Sequence, residues 1–101
     1  MLTSKQRAFL RAQANGIEPV FQIGKGEIDD DIVAAVRDCL AKRELIKLKV
    51  LENSPYNARE AAEKLAQAAC CEVVQVIGSK LVLFAQKKKD SRFDLKNFAV
   101  L

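Results

Sequence analysis

The sequence predicts a single α/β domain in which packed helices cover a mixed four-stranded sheet. Three helical patterns alternate with short apolar segments, and two apolar segments around a Gly-Ser turn follow the last helix, which gives the order α-β-α-β-α-β-β. Strands separated by a helix favour parallel pairing, whereas a closing hairpin is antiparallel. A chain of 101 residues is long enough for one core and too short for two.

Composition narrows the class of protein. Hydrophobic residues make up 50% and charged residues 30% of the chain, and no apolar run approaches the roughly 20 residues of a membrane span. No secretory signal pattern is visible, so we expect a soluble cytoplasmic protein. With three cysteines and no histidine, neither a disulfide framework nor a Cys/His zinc site is expected. The lack of histidine and of a nucleophile motif also argues against catalysis, and we expect no metal and no cofactor.

The first helix is predicted over residues 4–14. Thr3 and Gln6 have the spacing of a capping box, in which each side chain accepts a hydrogen bond from the other residue's backbone N–H. Gly16 is expected to end this helix in a left-handed conformation.

The second segment is predicted as a strand, a turn and a helix. Pro19 opens the run PVFQI, which is rich in β-branched and aromatic residues and is expected to end at Gly24. After the turn, Asp29 is a suitable N-cap, and the two acids that follow it complement the helix dipole. Apolar residues then recur at helical spacing to about Lys42.

The second strand alternates between apolar and basic residues. In LIKLKVL, Ile46, Leu48 and Val50 are expected to face the core, and Lys47 and Lys49 the opposite side. One face of this strand is therefore predicted to be wet and basic.

The third helix is predicted to run to about Ala69. Asn57 with Glu60 forms one candidate capping box, and Ser54 followed by Pro55 is the competing start. The runs VVQVI and LVLFA, which flank Gly78-Ser79, then predict an antiparallel hairpin.

Residues 1–86 are predicted to form the domain, and residues 87–101 a basic, loosely ordered tail or a short appended helix. The tail begins with three lysines and scatters apolar side chains among polar groups: Phe93, Leu95 and Phe98.

The Gly24-Lys25-Gly26 turn is where backbone N–H groups could meet a phosphate. Four acids follow it closely, so the segment 24–31 carries a net charge of −3, while the rest of the chain carries +7. A helix-capping role for the acids leaves the turn free to contact a polyanion, and the alternative is a plain strand-to-helix turn.

Four segments resemble a known family: LTSKQRAFLRAQA, PVFQIGKGEI, RELIKLKVL and VVQVIGSKLVLF. Their order and spacing over residues 2–86 are similar to those of the small bacterial YhbY-type proteins, which are single CRM (chloroplast RNA splicing and ribosome maturation) domains. The resemblance implies a fold similar to the C-terminal domain of translation initiation factor three. It also implies RNA binding without catalysis, in assembly of the large ribosomal subunit.

In that family a GxxG loop after the first strand is thought to lie on RNA, as in KH domains. Gly24 matches its first glycine and Lys25 its usual lysine, whereas Glu27 stands at the second glycine and Gly26 lies one place earlier. The candidate RNA contacts are this turn and basic residues along the chain: Gly24, Lys25, Gly26, Lys5, Arg7, Arg11, Lys42, Arg43, Lys47 and Lys49. For the basic residues, a solvated surface is the alternative.

The expected partner is ribosomal RNA or a large-subunit precursor particle, with no membrane, no small-molecule substrate and a monomeric protein. A second hypothesis is a protein-interaction module that docks through the apolar residues of the tail. A third is a small hydrolase or transferase that uses Glu27 and Asp29–Asp31, although consecutive acids fan around a helix and do not converge without a metal.

Overall fold

The structure is a computed structural model that describes residues 2–26, 28–87 and 90–100. In those ranges it has three helices, a four-stranded sheet and a small two-stranded sheet. The elements are α1 (Ser4–Ala14), β1 (Phe21–Ile23), α2 (Asp30–Arg43), β2 (Leu45–Val50), α3 (Ala58–Ala69), β3 (Glu72–Ile77), β4 (Lys80–Phe84), β5 (Phe93–Asp94) and β6 (Ala99–Val100). Among the helices of these ranges, none has the length and apolar character needed to cross a membrane.

The helices begin at cap residues that the sequence predicts. Thr3 Oγ1 accepts a hydrogen bond from the Gln6 N–H at 3.1 Å, and Gln6 Oε1 accepts one from the Thr3 N–H at 2.9 Å. Asn57 and Glu60 make the same exchange at 2.8 and 3.1 Å. The capping box at Asn57 is thus confirmed, and the competing start at Ser54 is wrong because the chain there is still in a loop.

The helices end at the predicted residues or within one residue of them, but the predicted glycine stop of α1 is wrong. Gly16 does not take a positive φ. Instead α1 ends through a right-handed turn at Asn15 (φ −59°), whose N–H donates to the Ala12 carbonyl. In α2 and α3 a positive φ does follow the last turn, but it is taken by Glu44 (φ 65°) and Cys70 (φ 55°). A residue with a side chain is strained there, so its contacts must compensate for the strain.

The four-stranded sheet has the order β1-β2-β4-β3, which confirms the mixed α/β class. β1 and β2 are parallel, as expected for strands separated by a helix. The strands β3 and β4 form the predicted hairpin around Gly78, which has a φ of +56°. However, β4 lies between β2 and β3, so the helix-separated pair β2 and β3 are not neighbours.

The two faces of this sheet are covered differently. Helices α2 and α3 pack on one face, where Ile46, Leu48 and Val50 point into the larger hydrophobic cluster as predicted. Helix α1 covers part of the other face, where Leu10 packs with Leu45 and further residues of a second cluster: Val74, Val82 and Phe84. Among the described elements, no helix of the α2-α3 layer lies on this second face.

Residues 90–100 form neither a loose tail nor a helix. β5 and β6 pair in a short hairpin, and Phe93 is buried in the second cluster. Its ring makes edge contacts with Phe9 of α1 and Phe84 of β4, at centroid distances of 6.4 and 5.7 Å. Strands of two residues have no periodic pattern to detect, and this hairpin forms because the domain provides an apolar surface for Phe93. Lys88 and Lys89 lie outside the described residues.

Candidate nucleic-acid interface

The Gly24-Lys25-Gly26 turn, called here the GKG loop, projects from the end of β1. The Leu51 N–H donates to the Ile23 carbonyl at 2.8 Å, which ties the start of the loop to the end of β2. Lys25 and Gly26 are exposed, and Gly26 has a φ of +98°. The loop therefore exposes the Lys25 side chain, and the next residue, Gly26, has a backbone conformation that only glycine adopts easily.

Glu27, which stands at the family's second loop glycine, lies outside the described residues. The positive φ described in this loop belongs to Gly26, one place earlier.

We expect Gly26→Ala to lower the free energy of unfolding by about 1 kcal/mol, because alanine resists a positive φ. The matched control is Gly24→Ala, since Gly24 has no positive φ and an added Cβ would meet Asn53 and Leu51 at an ordinary 3.5 Å. Urea denaturation measures both variants. Equal losses would contradict a conformational requirement specific to Gly26.

The acids after the loop serve the helix. Asp29 Oδ1 accepts a hydrogen bond from the Ile32 N–H at 2.9 Å, as predicted for an N-cap. Asp30 and Asp31 are exposed in the first turn of α2, where they complement the helix dipole. No group of three or more Cys, Asp or Glu side chains in residues 2–26, 28–87 and 90–100 is arranged to hold a metal ion.

The second sheet face also carries Lys47, Lys49 and Lys80, called here the lysine face. Lys49 and Lys80 are directly opposite each other in neighbouring antiparallel strands, and Lys47 lies two residue pairs further along, on the same face. Lys80 is exposed and the other two are half-buried. Like charges directly opposite each other destabilise a sheet, and within the described residues no carboxylate pairs with any of the three.

Lys80 was not among the residues singled out in the sequence. The turn at Gly78-Ser79 was recognised, but only the pairing of β4 with β2 places Lys80 beside Lys49. Lys47 and Lys80 also line a small cleft of about 170 Å³ with Asn15, Gln75 and the 61% exposed Ile77. A predicted partner strand for β2 would have identified this lysine.

The GKG loop and the lysine face share one end of the sheet. Ile23, the last residue of β1, pairs with Val50, and the Val50 N–H donates to the Ser79 carbonyl at 2.7 Å. The GKG loop, the last residue of β2 and the β3-β4 turn are therefore neighbours. Gln22 of β1 lies next to Lys49 in the adjoining strand.

The other predicted basic residues are spread more widely. Lys42 and Arg43 end α2, whereas the GKG loop precedes its start, so about 20 Å of helix separates them. Helix α1 lies on the same sheet face as the lysine face, with Lys5 and Arg11 exposed. Arg7 is half-buried, and its Nε donates to the Val73 carbonyl at 3.4 Å. The ten predicted residues thus do not form one continuous patch.

Comparison with known proteins identifies the family. Residues 2–84 match the family model described as the CRS1 / YhbY (CRM) domain. The chain belongs to this CRM-domain family. The resemblance inferred from four sequence segments is thereby confirmed.

Two relatives and a solved structure are similar to this chain over most of its length. The chain is 38% identical to "Probable RNA-binding protein YqeI" of Bacillus subtilis over 94% of this chain and 99% of that protein. It is 39% identical to "Probable RNA-binding protein MJ0652" of Methanocaldococcus jannaschii, over 86% of this chain and 66% of that protein. The solution structure of SAV1595 from Staphylococcus aureus matches with a TM-score of 0.78 and 44% identity, over 93% of this chain and 98% of that one.

The thiols of this CRM domain do not form an evident reactive centre. Cys70 is exposed, whereas Cys39 and Cys71 are half-buried. Burial, with the nearby Cys70 and Glu72, raises the pKa of the Cys71 thiol to about 11. Cys71 is therefore a protonated and weakly nucleophilic thiol at neutral pH.

Proposed function

We propose that this protein is a non-catalytic RNA-binding protein that contacts the RNA backbone with the GKG loop and the lysine face. The observation that carries the proposal is the pair Lys49 and Lys80, which lie opposite each other on one sheet face and have no carboxylate partner among the residues that the structure describes. A phosphate between them would replace a repulsion with two attractions.

A polyanion suits this surface better than a single anion does. Three lysines lie near one end of the sheet, and Lys25 of the GKG loop lies at the same end, after β1. Evenly spaced phosphates of a nucleic-acid strand can bind such a series at once, and backbone contacts of this kind set position without reading sequence. The names of the relatives support RNA as that strand.

For the RNA itself we propose ribosomal RNA within precursors of the large subunit, in the cytoplasm, bound by a monomer. Support comes from membership in the CRM family and from the resemblance of the chain to the YhbY-type proteins. An RNA-binding surface built of lysines and glycines recognises folded RNA by shape and backbone, which suits a transient assembly factor.

The test is gradient sedimentation of the native protein in cell lysate, with and without RNase, at low and raised salt. Migration with large-subunit precursors that RNase abolishes and raised salt weakens is the expected result. Migration at the top of the gradient in every condition would overturn the assembly role.

Lys25→Ala is expected to weaken RNA binding about fivefold at low salt and to leave the melting temperature unchanged, because the side chain is exposed and supports no described contact. Lys64→Ala is the matched control, since it removes the same charge from α3 on the other side of the sheet. Fluorescence anisotropy with a labelled ribosomal RNA fragment measures both. If the two variants bind alike, the GKG loop does not contact RNA directly.

The competing hypothesis is a protein-interaction module that docks through the tail, but Phe93, one of the apolar residues it needs, is buried in the domain. Phe93 is 8% exposed and already packs inside the domain, and Leu95 is half-buried against the same cluster. Phe98 is 41% exposed, but its ring contacts Phe9 at a centroid distance of 6.0 Å.

A further inference from the structure

Glu44 ties the C-terminal segment to the junction of α2 and β2. Its side chain is fully buried, and its carboxylate accepts hydrogen bonds from the Arg92 N–H at 2.6 Å, the Ser91 hydroxyl at 2.5 Å and the Lys87 N–H at 3.1 Å. Its own carbonyl accepts the Ala85 N–H at 2.9 Å. One residue therefore holds Ala85, Lys87, Ser91 and Arg92 in place.

This attachment brings two arginines from distant parts of the chain to one cleft. Arg43 directly precedes Glu44, and the Arg92 N–H binds the Glu44 carboxylate. Both guanidinium side chains are exposed, and both residues line the same cleft of about 550 Å³. The remaining lining is mostly apolar, with one amide: Ile17, Leu45, Phe93, Val100 and Gln13.

The chemistry of this cleft suits a nucleotide. Its volume is within the range of small-ligand sites, which is about 300 to 1,000 Å³. Guanidinium groups bind phosphate through paired donors and also stack on bases. An apolar lining accepts the face of an unstacked base, and the Gln13 amide offers both a donor and an acceptor for a base edge.

We propose that this cleft binds one unpaired nucleotide of the RNA, with Arg43 and Arg92 on its phosphate and the base against the apolar lining. This inference rests on the proposed RNA-binding function and adds a second contact at the far end of α2. The length of α2, about 20 Å, separates Arg43 from the GKG loop. A duplex cannot place a base in the cleft without unpairing it, so the cleft distinguishes single-stranded from paired RNA.

The experiment compares a labelled 12-nucleotide single-stranded RNA with a 12-base-pair RNA duplex by fluorescence anisotropy. The double variant Arg43→Ala/Arg92→Ala is expected to bind the single strand at least tenfold more weakly than the parent and the duplex less than threefold more weakly. Lys96→Ala is the control, because it removes a cation from the same C-terminal hairpin outside the cleft. It should change neither affinity more than twofold.

A direct measurement accompanies it. Titration of the ¹⁵N,¹³C-labelled parent with millimolar 5′-UMP should shift the Gln13 side-chain amide and the methyl groups of Leu45 and Val100 in NMR spectra. Equal losses for single strand and duplex in the double variant, or the absence of these shifts, would overturn the nucleotide cleft. If the parent binds neither RNA, the proposed function itself fails, whereas a binding parent with an unaffected double variant rejects the cleft alone.

Discussion

Glu44→Ala is expected to lower the free energy of unfolding by about 3 kcal/mol. The substitution removes the acceptor of the Lys87 and Arg92 N–H groups and of the Ser91 hydroxyl, and a buried donor left without a partner costs about 1 to 3 kcal/mol. It also leaves a non-glycine residue at a φ of 65° without the contacts that compensate for that conformation. Urea denaturation measures the change.

Glu44→Gln separates the carboxylate charge from the shape of the side chain. Burial alone would raise the pKa of Glu44, but the bonds from Ser91 and from the Arg92 and Lys87 amides, with the Lys87 charge, lower it below 4.5. A carboxylate with a depressed pKa in the folded state stabilises the fold above the unfolded pKa. That contribution is lost as the pH falls below 4.5 and through the folded pKa.

The parent should therefore lose more stability than the glutamine variant as the pH falls below 4.5. The pKa of Asp94 is also lowered, by its bonds to Asn97, and this contribution is common to both proteins. Denaturation curves across this pH range give the difference. Parallel pH profiles would contradict the role of the Glu44 charge, and a Glu44→Ala variant as stable as the parent would contradict the attachment itself.

The second large effect is expected for the lysine face. The double variant Lys49→Ala/Lys80→Ala should bind RNA about 10- to 100-fold more weakly at low salt. The slope of log affinity against log salt should become shallower by about two, because two phosphate contacts disappear. Since Lys49 and Lys80 repel each other across the strands, the free energy of unfolding should stay constant or rise slightly.

The charge-matched control is Lys64→Ala/Lys96→Ala, in which both lysines lie away from the lysine face. Anisotropy titrations over a salt series measure affinity and slope together. If both double variants weaken binding equally, net charge alone accounts for the affinity. If Lys49→Ala/Lys80→Ala leaves the slope unchanged, these lysines do not contact phosphate.

The local parts of the fold follow from local patterns. The starts of the three helices were predictable because each cap side chain accepts a hydrogen bond from a backbone N–H three residues later. Thr3 accepts from Gln6 in this way, and Asp29 accepts from Ile32. The alternation in β2 placed its lysines and its apolar residues on opposite faces for the same reason. The order of four motifs over residues 2–86 was also enough to indicate the CRM family.

The candidate site was predictable in part. Its glycines and its lysines on β2 were identified, and they remain proposed contacts. Lys80 was missed because strand order is not encoded in periodicity, and the insertion of β4 beside β2 decides which residue lies opposite Lys49. Arg92 was missed because the last part of the chain showed no regular pattern.

Contacts within one short stretch of the chain are thus predictable from this sequence, since they depend on residue type and spacing alone. The sheet order, the docked hairpin and the cleft depend on contacts between residues far apart in the chain. Glu44 meets Ser91 across 47 positions, yet in the sequence it resembles an exposed acid at the end of a helix. Burial of that carboxylate is favourable only when the fold brings its three hydrogen-bond donors into place, and no local sequence pattern indicates that they will lie there.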